Sequence, residues 1–583
     1  MDEEQRRLVE ELLFTGQEKP SFAKLLYFGY FDGSMIFPYP QVDEQEKISV
    51  DKYIQDLKIF AEQKIDADRI DREAKIPDEV IRGLGRLGVL GMSIPKEYGG
   101  LGISQYGYCR VMETLAQKCG STALFVNAHQ SVGMKALLLF GTKKQKDRWL
   151  PVLARGEAIA AFSLTEPNAG SDAAGIETKA VYNEEKDTYT ITGRKQWTTN
   201  GGIADVLTVM AKTPVETSKG IEEKVTAFLV TPDMPGFRVI DKSLEKVGMR
   251  GSWTANLAFD GVEVPAENIL GPKGGGLRVC LTVLDYGRTT FGATCTGVAK
   301  YLVQRAIDHA KNRHQFGRPL ASFGLVKKML SRMAANTYAM EATTYLTAGL
   351  LDKGEEDIML EASILKVFAS EALWQTLYDT MQIFGGRSFF TDEPFERIMR
   401  DARLNMIGEG SNEVLKAFIG VIGMRDVGVG LKVFADALQK PWKSPKTLIM
   451  GLKSLLQRLR NPLVPIKSEL LQAEASLLSH AVKKFGFNVL RVLGRYREGV
   501  VERQLDLERI AFQATTLYTV AAVLSKMDSD LSTSRENVLK NDLAVGKHYC
   551  RMKLREMRRM SKALFSSYDK DVEQVSDLLT GQS

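Results

Sequence analysis

The segment DTYTITGRKQWTTNG, residues 187–201, decides the fold class because it is a strand sequence with helical neighbours on both sides. Threonine, tyrosine, isoleucine and tryptophan favour strands, while the aspartate, asparagine and glycine at its ends favour turns. Residues 45–160 and 277–425 instead carry apolar side chains at spacings of three and four, which indicates helices. The sequence therefore predicts a mainly α protein with a small central β domain.

The changes in periodicity divide the chain into five predicted parts. Strand-like segments continue from about residue 161 to residue 270, and a long helical stretch follows the sequence GVGLK. The predicted parts are an N-terminal extension (1–44), a helical domain (45–160), a β domain (161–276), a second helical domain (277–425) and a C-terminal helical extension (426–583).

Composition and charge exclude several classes of protein. The 583 residues are 44% hydrophobic, enough for a large core, and a net charge of +6 is too dilute for a nucleic-acid-binding protein. The five cysteines share no close spacing, so we predict no metal site or disulfide framework and a reducing compartment. No apolar run reaches the ~18 residues of a membrane span. The opening MDEEQRRL lacks the features of a signal or transit peptide.

Two motifs in the β region favour a flat, hydrogen-bonding ligand. FSLTEPNAGSD (162–172) is a turn that exposes backbone N–H groups and the hydroxyls of Thr165 and Ser171. In WTTNGG (197–202), Trp197 stands two residues from the hydroxyl of Thr199, which on a strand means the same face. An aromatic plane beside a hydroxyl suits a flavin. A loop next to a core tryptophan is the alternative that either motif alone leaves open.

A third motif, IGEGSNEVL (407–415), places Glu409 between Gly408 and Gly410 just before a helical pattern. Neither glycine has a side chain to shield the carboxylate. The segment is therefore either an ordinary loop or a turn whose acid needs close access to another molecule.

Seven motifs, in this order, resemble those of the acyl-CoA dehydrogenase family over roughly residues 50–425. They read IPKEYGGLG, FSLTEPNAGSD, WTTNGG, RHQFGRPL, QIFGG, RIMRDAR and IGEGSNEVL. The resemblance implies an N-terminal helical domain, a small β domain, a C-terminal four-helix bundle, and FAD as cofactor.

The resemblance also implies the reaction. Glu409 matches the base that removes a proton α to an acyl thioester while the β-hydride passes to the flavin. A carboxylate in an apolar cavity has a raised pKa and is a better base. Some members carry their base in the first helix of the second helical domain, where this chain has Gly287 in LDYGRTTF.

The remaining site residues are implied by resemblance alone. Thr165, Trp197 and Thr199 match positions on the flavin ring. Further FAD positions are Phe162, Leu164, Ser171, Thr198, Ser411 and Glu413. The ADP half of FAD is expected at Arg313, Phe316, Gln382, Gly385 and Gly386, across a homodimer interface. The CoA thioester is expected at Ser171, Asp285, Arg288 and Gly410.

The chain departs from the family at two positions near the expected site. Gly408 stands where an aromatic residue usually precedes the acid, and Ser388 replaces a glycine in GGRSF. Loss of the aromatic ring predicts a wider or wetter cavity, and a wetter carboxylate is a weaker base at neutral pH.

The C-terminal extension places the chain near one branch of the family. PSFAKLLYFGYFDGSMIFPYP, AHQSVGMKALLLFGT and FGLVKKML also resemble the very-long-chain enzymes and their relative, family member nine. That branch implies long-chain acyl-CoA as substrate, electron-transfer flavoprotein as acceptor, and the matrix side of the mitochondrial inner membrane. Gly133 and Ala136, one helical turn apart, could leave a channel for an acyl tail. Close helix packing is the alternative.

Residues 446–460, KTLIMGLKSLLQRLR, form an amphipathic helix in the extension. The apolar stripe consists of Leu448, Ile449, Leu452, Leu455, Leu456 and Leu459, with Lys446, Lys453, Arg458 and Arg460 lying off it. Such a helix can lie on an anionic membrane surface or in the core of the extension. The later basic segment RMKLREMRRMSK (551–562) is interpreted as solvated charge.

Three functional hypotheses follow. The first is a flavoenzyme that desaturates long-chain acyl-CoA in fatty acid β-oxidation. The second is an assembly factor of respiratory complex I that uses the dehydrogenase body as an interaction surface. The third is an acyl-CoA-binding protein with weak turnover.

Overall fold

The computed structural model describes residues 20–218, 220–439, 441–533 and 536–581. The predicted fold class is confirmed: helices precede a central sheet, and longer helices follow it. The opening MDEEQRRL lies outside the described residues.

The helices before the sheet are short and the helices after it are long. Those before it are α1 Phe22–Tyr27, α2 Glu44–Lys64, α3 Ala67–Glu73, α4 Asp78–Arg86, α5 Gln105–Lys118, α6 Gly120–Asn127, α7 Lys135–Phe140 and α8 Lys143–Ala154. Those after it are α9 Gly276–Asn312, α10 Gly324–Asp352, α11 Met359–Phe384, α12 Phe395–Leu404 and α13 Asn412–Gln439. The extension adds α14 Pro445–Arg458, α15 Gln472–Tyr496, α16 Gln504–Thr533, α17 Glu536–Lys562 and α18 Tyr568–Thr580.

Eight strands form the central sheet. They are β1 Ala160–Ser163, β2 Lys179–Asn183, β3 Thr188–Thr199, β4 Val206–Thr217, β5 Gly220–Val230, β6 Phe237–Asp241, β7 Thr254–Pro265 and β8 Ile269–Leu270. The order is β6-β7-β3-β2-β4-β5-β8, and β1 pairs with β4 in parallel. A small hairpin, β9 His314–Gln315 and β10 Arg318–Pro319, follows α9.

The segment 187–201 contains β3. The regular alternation of side chains between the two faces of this strand is interrupted near its C-terminal end. Tyr189 and Ile191 are buried with the apolar face of the sheet. The pairing of β3 with β7 shifts register between Lys195 and Thr198, which marks a bulge. Bulges re-aim side chains and often lie beside functional sites, and this one includes Trp197.

A π-helical turn, Ala128–Met134, joins α6 to α7. Such turns are rare and often lie at functional sites. Gly133 lies in this turn against β1, because a Cβ placed on it would be 2.8 Å from the Cβ of Ala160. Ala136 is also fully buried. The structure therefore gives Gly133 a strand as its close neighbour, and the acyl channel expected beside it stays a prediction.

The N-terminal segment packs against both the second helical domain and the C-terminal extension. Tyr27 of α1 is fully buried and its hydroxyl donates to the carbonyl of Ile419 at 2.7 Å. Gly29 packs so closely on α15 that a Cβ on Gly486 would be 2.7 Å from its Cα. A buried ion pair, Lys24–Asp357 at 2.6 Å, ties α1 to the residues just before α11.

Helix α14 packs on α13 through Gly451, where a Cβ would collide with the ring of Phe434. Three members of the predicted stripe, Ile449, Leu452 and Leu459, are exposed, and Leu448 is half-buried. The side chains of Leu455 and Leu456 lie outside the described part of the structure.

Arg458, one of the basic residues predicted to lie off the apolar stripe, differs from exposed Lys446, Lys453 and Arg460. Arg458 is buried, with its guanidinium 5.4 Å from the ring of Phe28, because the N-terminal segment packs against this end of α14. Among the described residues, no helix has the length and apolar character needed to cross a membrane.

Candidate active site

The turn between α12 and α13 holds Glu409 in an unusual backbone conformation. Glu409 has φ +57° and Gly410 has φ +96°, both in the region that disfavours side chains. A non-glycine residue in this region stores strain, which is found at functional sites when the surroundings hold it in place. The surroundings of this turn supply that restraint through two buried cations.

The carboxylate of Glu409 points at Gly287 of α9. A Cβ placed on Gly287 would lie 3.0 Å from Oε2 and 3.2 Å from Oε1. Oε2 is buried and has no hydrogen-bond partner among the described residues. Burial raises the pKa of Glu409 to about 7, and the nearby positive charges of Arg288 and Lys366 oppose that rise. A carboxylate with a pKa near the working pH is both available as the ionised form and basic enough to accept a proton.

Arg288 and Lys366 hold the two successive backbone carbonyls of Glu409 and Gly410. The Nε of Arg288 donates to the carbonyl of Glu409 at 3.2 Å. The Nζ of Lys366 donates to the carbonyl of Gly410 at 2.6 Å and to Oδ1 of Asn412 at 2.9 Å. Burial lowers the pKa of Lys366 to about 8. Both bonds carry a charged donor, so they are stronger than neutral hydrogen bonds.

Sequence reasoning missed Lys366 and Asn412. The only signal for Lys366 is a single cation inside the apolar run EASILKVFASEAL of α11. Lysine is almost never fully buried unless it is paired, so this residue could have been singled out as a candidate for an internal contact.

Asp285 and Arg288, predicted to hold the CoA portion, are both buried beside the turn. The Nη1 of Arg288 lies 3.3 Å from Asp285 and 3.3 Å from the hydroxyl of Ser363. Burial raises the pKa of Asp285 to about 7, against the effect of Arg288. The structure brings these two residues together with Glu409, and their contact with CoA stays a prediction.

The motif 162–172 is joined directly to the bulge of β3. The hydroxyls of Ser163 and Thr198 are 2.8 Å apart, and the amide of Gln196 donates to the carbonyl of Thr165 at 2.8 Å. The two motifs that the sequence separates by 25 residues therefore form one surface.

A buried ion pair holds this surface in shape. Lys195 and Glu166 are 2.6 Å apart and almost fully buried, and Lys195 also donates to the carbonyl of Leu164. Glu166 accepts from the backbone amides of Glu177 and Thr178. Removing one partner of such a pair is strongly destabilising because a buried charge remains.

Among the residues predicted to contact the flavin, the tryptophan is exposed and its neighbours are more buried. Trp197 has φ +59° and is 61% exposed, while Thr198 is buried and Thr199 is half-buried. Phe162, Leu164 and Thr165 are half-buried, and Ser171 is exposed. An open indole face beside hydroxyls and backbone groups fits a flat ring with polar edges.

The residues predicted for the ADP half of FAD are exposed in the single chain. Arg313 ends α9, and Phe316 in the following hairpin is 93% exposed. Gln382, Gly385 and Gly386 at the end of α11 are also exposed. A Cβ on either glycine would have no neighbour within 4 Å, so the chain leaves space there. A permanently charged guanidinium and uncovered glycine backbone are each suited to a diphosphate.

Ser411 and Glu413 flank Asn412 at the start of α13. Ser411 is half-buried and its hydroxyl accepts from the amide of Val414 at 3.4 Å, while Glu413 is exposed. Their contact with FAD stays a prediction.

The two departures from the family pattern have local explanations. A Cβ on Gly408 would meet Leu404 at 3.6 Å or more, so the position has room for a side chain. Oε2 of Glu409 is nonetheless buried, which differs from the wetter carboxylate expected from Gly408, because Gly287 and α9 cover that oxygen. Ser388 is buried, with its hydroxyl 2.8 Å and 2.9 Å from the carbonyls of Gly385 and Met381, and so caps α11.

Four family models match the chain. They are the acyl-CoA dehydrogenase N-terminal domain (51–157), middle domain (161–262) and C-terminal domain (274–422), and the ACAD9/ACADV C-terminal domain (469–580). The very long-chain specific acyl-CoA dehydrogenase of Bos taurus, a mitochondrial protein, is 37% identical over 520 residues, covering 88% of this chain and 79% of the relative.

Solved structures agree with the sequence matches. Acyl-CoA dehydrogenase of Bacillus anthracis, complexed with FAD, aligns with a TM-score of 0.75 at 28% identity, covering 92% of this chain and 91% of that one. Butyryl-CoA dehydrogenase of Megasphaera elsdenii aligns with a TM-score of 0.61 at 34% identity, covering 64% and 98%.

The chain belongs to the acyl-CoA dehydrogenase family. Within that family it is an FAD-dependent acyl-CoA dehydrogenase that carries the additional C-terminal domain of the very-long-chain branch.

Proposed function

We propose that this enzyme oxidises long-chain acyl-CoA to the trans-2-enoyl thioester with Glu409 as the base, and that electron-transfer flavoprotein accepts the electrons. The observation that carries the base assignment is the buried, unpartnered Oε2 of Glu409, held against Gly287 on a strained turn. Strain, burial and a raised pKa together are typical of a catalytic acid–base group.

The residues of this chain divide the reaction between them. Glu409 accepts the proton from the α carbon of the thioester, and its pKa of about 7 sets the pH above which the base is available. Arg288 and Lys366 hold the turn so that the carboxylate keeps its position during proton transfer. Bound FAD supplies the acceptor for the hydride that leaves the β carbon. Trp197 and Thr199 bind and orient the flavin ring, and Arg313 binds the diphosphate.

Gly287 provides the space that the Glu409 carboxylate occupies in the proposed mechanism. Because the carboxylate oxygens lie 3.0 and 3.2 Å from the position of a Cβ, no larger residue fits at 287 without displacing Glu409. Glycine therefore leaves room for the carboxylate, and helix α9 forms the wall that the acyl group must face.

The cellular setting is proposed from the relatives and the surface. The relatives from Bos taurus and Homo sapiens are mitochondrial very-long-chain enzymes, which supports a mitochondrial enzyme of fatty acid β-oxidation with a preference for long chains, although the mycobacterial relatives are bacterial acyl-CoA dehydrogenases. The exposure of Arg313, Phe316, Gln382, Gly385 and Gly386, all assigned to the cofactor, supports a homodimer in which each FAD contacts both chains. Exposed Ile449, Leu452 and Leu459, with Lys446 and Lys453 nearby, support attachment of α14 to the matrix side of the inner membrane.

The test is a turnover assay of the purified yellow protein with acyl-CoAs from butyryl-CoA to stearoyl-CoA. An artificial dye acceptor and electron-transfer flavoprotein serve as alternative oxidants. Turnover that rises with chain length, with either acceptor, supports the proposal. Tight acyl-CoA binding without turnover would contradict it and favour an acyl-CoA-binding protein.

A further inference from the structure

Three arginines of the C-terminal extension converge on a pair of aromatic rings. The guanidinium carbons of Arg491 and Arg495 lie over the ring of Phe565, 5.2 Å and 4.9 Å from its centre. Those of Arg495 and Arg503 lie 5.6 Å and 5.4 Å from the centre of the Tyr496 ring. The two rings are 5.8 Å apart. These five residues form a single group, which we call the arginine–aromatic cluster.

A buried acid holds the two rings in place. Asp506 of α16 is 3% exposed, and its Oδ2 accepts from the hydroxyl of Tyr496 at 2.9 Å. Its Oδ1 accepts from the backbone amide of Phe565 at 3.0 Å. Phe565 has φ +62°, a conformation that disfavours side chains, so its position depends on such contacts. The rings are therefore fixed by the fold and give the arginines a rigid support.

The positive charge of the arginine–aromatic cluster is poorly balanced. Arg491 and Arg495 are exposed and lie one turn apart on α15, a spacing at which like charges destabilise a helix. Among the described residues, no carboxylate forms an ion pair with either of them. Arg503 forms a long ion pair with Glu573, at 3.9 Å. The cluster therefore brings together three cations with one distant carboxylate.

Three other carboxylates near the cluster are paired with other cations. Arg509 binds both oxygens of Asp569, at 2.6 Å and 2.5 Å, and Oδ1 of Asp506 at 3.0 Å. Glu498 is 3.3 Å from Lys432 of α13. A guanidinium that stacks on a ring keeps its N–H groups for other partners, so the cluster has donors available to a further anion.

Phosphate groups match this arrangement. Arginine binds phosphate oxygens through two parallel N–H bonds, and several guanidiniums together suit an anion with more than one phosphate. A lipid surface is a less suitable source of that phosphate, because attachment to a membrane also requires exposed apolar side chains. Across the described residues of α15, α16 and α17, no large apolar side chain is exposed. The cluster therefore favours a soluble anion.

We propose that the arginine–aromatic cluster binds a soluble anion with two or more linked phosphate groups, such as pyrophosphate or the polyphosphate of a nucleotide. The bound anion joins Arg491 and Arg495 of α15 to Arg503, the residue before α16, and so stabilises the extension. The site is separate from the residues assigned to FAD and CoA, and the proposal does not depend on Glu409 as the base.

The experiment titrates FAD-loaded protein with pyrophosphate in a calorimeter. Arg491→Gln/Arg495→Gln is expected to weaken binding by at least ~10-fold, because two charged donors are lost. Arg491→Lys/Arg495→Lys keeps the charge but lacks the planar fork, so it is also expected to weaken binding. The control is Arg72→Gln/Arg82→Gln, which removes two exposed arginines from α3 and α4 and should leave the affinity unchanged.

Thermal melting gives a second measurement on the same proteins. Without pyrophosphate, Arg491→Gln/Arg495→Gln should melt near wild type, because both positions are exposed. Pyrophosphate should raise the melting temperature of wild type and of the control, since a ligand that binds only the folded state stabilises it. It should not raise the melting temperature of Arg491→Gln/Arg495→Gln.

Absence of binding heat from wild type at ~1 mM pyrophosphate would overturn the proposal. Wild-type affinity in Arg491→Lys/Arg495→Lys, or an equal loss in the control, would overturn it by showing that diffuse charge attracts the anion. Sedimentation with phosphatidylglycerol vesicles separates the two sources of phosphate. If Arg491→Gln/Arg495→Gln lost vesicle binding and kept pyrophosphate binding, the cluster would be a lipid site instead.

Discussion

The turn that holds Glu409 and the surface that carries Arg313 differ in how far a single chain completes them. Around Glu409 the backbone carbonyls are bonded to buried Arg288 and Lys366, and the carboxylate is enclosed by α9. Arg313 and Phe316 are exposed, and the glycine pair Gly385–Gly386, assigned to the same cofactor group, faces open space. The acid–base half of the site is thus built within one chain, while the half assigned to the cofactor's ADP group is the part that we propose a second copy of the chain completes.

The largest effect should come from the base itself. Glu409→Gln keeps the shape of the side chain but cannot accept a proton, so kcat should fall by ~10³-fold or more while FAD and acyl-CoA remain bound. Stopped-flow flavin reduction measures the step directly.

Glu361→Gln is the matched control for that variant. Glu361 is fully buried and burial raises its pKa to about 7, as for Glu409, but it accepts from the amide of Ala23 and lies outside the turn. Near-normal flavin reduction in Glu409→Gln, or an equal loss in Glu361→Gln, would refute the assignment.

A second prediction concerns access to the carboxylate. Gly287→Val should displace Glu409 and lower kcat by ~100-fold, because small misplacements of a catalytic group have effects of that size. Gly430→Val in α13 is the control, since a Cβ there has no neighbour within 4 Å. Equal activities of the two variants would mean that α9 does not define the site.

A third prediction follows from the charge of Lys366. Lys366→Met removes a cation that holds the pKa of Glu409 down, so that pKa should rise above about 7. A base with a higher pKa is protonated up to a higher pH, so the acidic limb of the pH–rate profile should move to higher pH, with kcat near neutrality falling by ~10-fold.

Lys300→Met is the comparison for the pH profile. Lys300 forms ion pairs with Glu113 and Glu341, each at 2.7 Å, and so its loss should lower the melting temperature. The Lys300→Met substitution should not move the acidic limb of the pH–rate profile. A limb that stays fixed in Lys366→Met would show that Lys366 acts on structure alone.

The exposed half of the site should respond differently. Arg313→Ala should weaken FAD binding by ~10-fold through loss of a charged hydrogen bond, without moving the pH–rate profile of enzyme saturated with FAD. Lys311→Ala, an exposed cation on the last turn of α9, is the control. Unchanged FAD affinity in Arg313→Ala would place the diphosphate elsewhere.

The smallest effect on catalysis is expected from α14, the helix proposed to bind a membrane surface. Ile449→Glu/Leu452→Glu should abolish co-sedimentation with cardiolipin-containing liposomes and leave turnover of soluble acyl-CoA unchanged, since exposed positions tolerate substitution within about 0.5 kcal/mol. Leu579→Glu alters an exposed leucine of α18 as a control. A large fall in melting temperature for the double variant would show that the stripe is an internal contact.

The sequence predicts those parts of the molecule whose chemistry is local. The β-branched residues of 187–201 predict a strand, and the bare glycines around Glu409 predict an accessible acid, because both properties belong to neighbouring residues. The resemblance then supplies FAD and the reaction, which the family matches confirm.

The parts that the sequence does not predict depend on packing between distant segments. Lys366 approaches the Glu409 turn only because α11 and α13 pack together, and its local sequence is an ordinary apolar helix. The burial of Arg458 against Phe28 depends in the same way on a distant segment. An amphipathic pattern defines the faces of α14, but the contact between Gly451 and Phe434 decides which face is covered.

The docking of α1 onto α15 and α16 has a consequence for the order of events during synthesis. Domains generally fold as units as they leave the ribosome, yet the aromatic residues of α1 pack on side chains more than four hundred positions later, as the contact of Phe22 with Tyr518 shows. Until those late helices emerge, α1 lacks the apolar side chains that bury it, and only its polar contacts to Asp357, Glu361 and Ile419 can form. If synthesis ended within the extension, the chain would contain all the catalytic domains but lack part of the surface that buries α1. The exposed apolar residues of α1 would then make this truncated chain a substrate for chaperones and proteases.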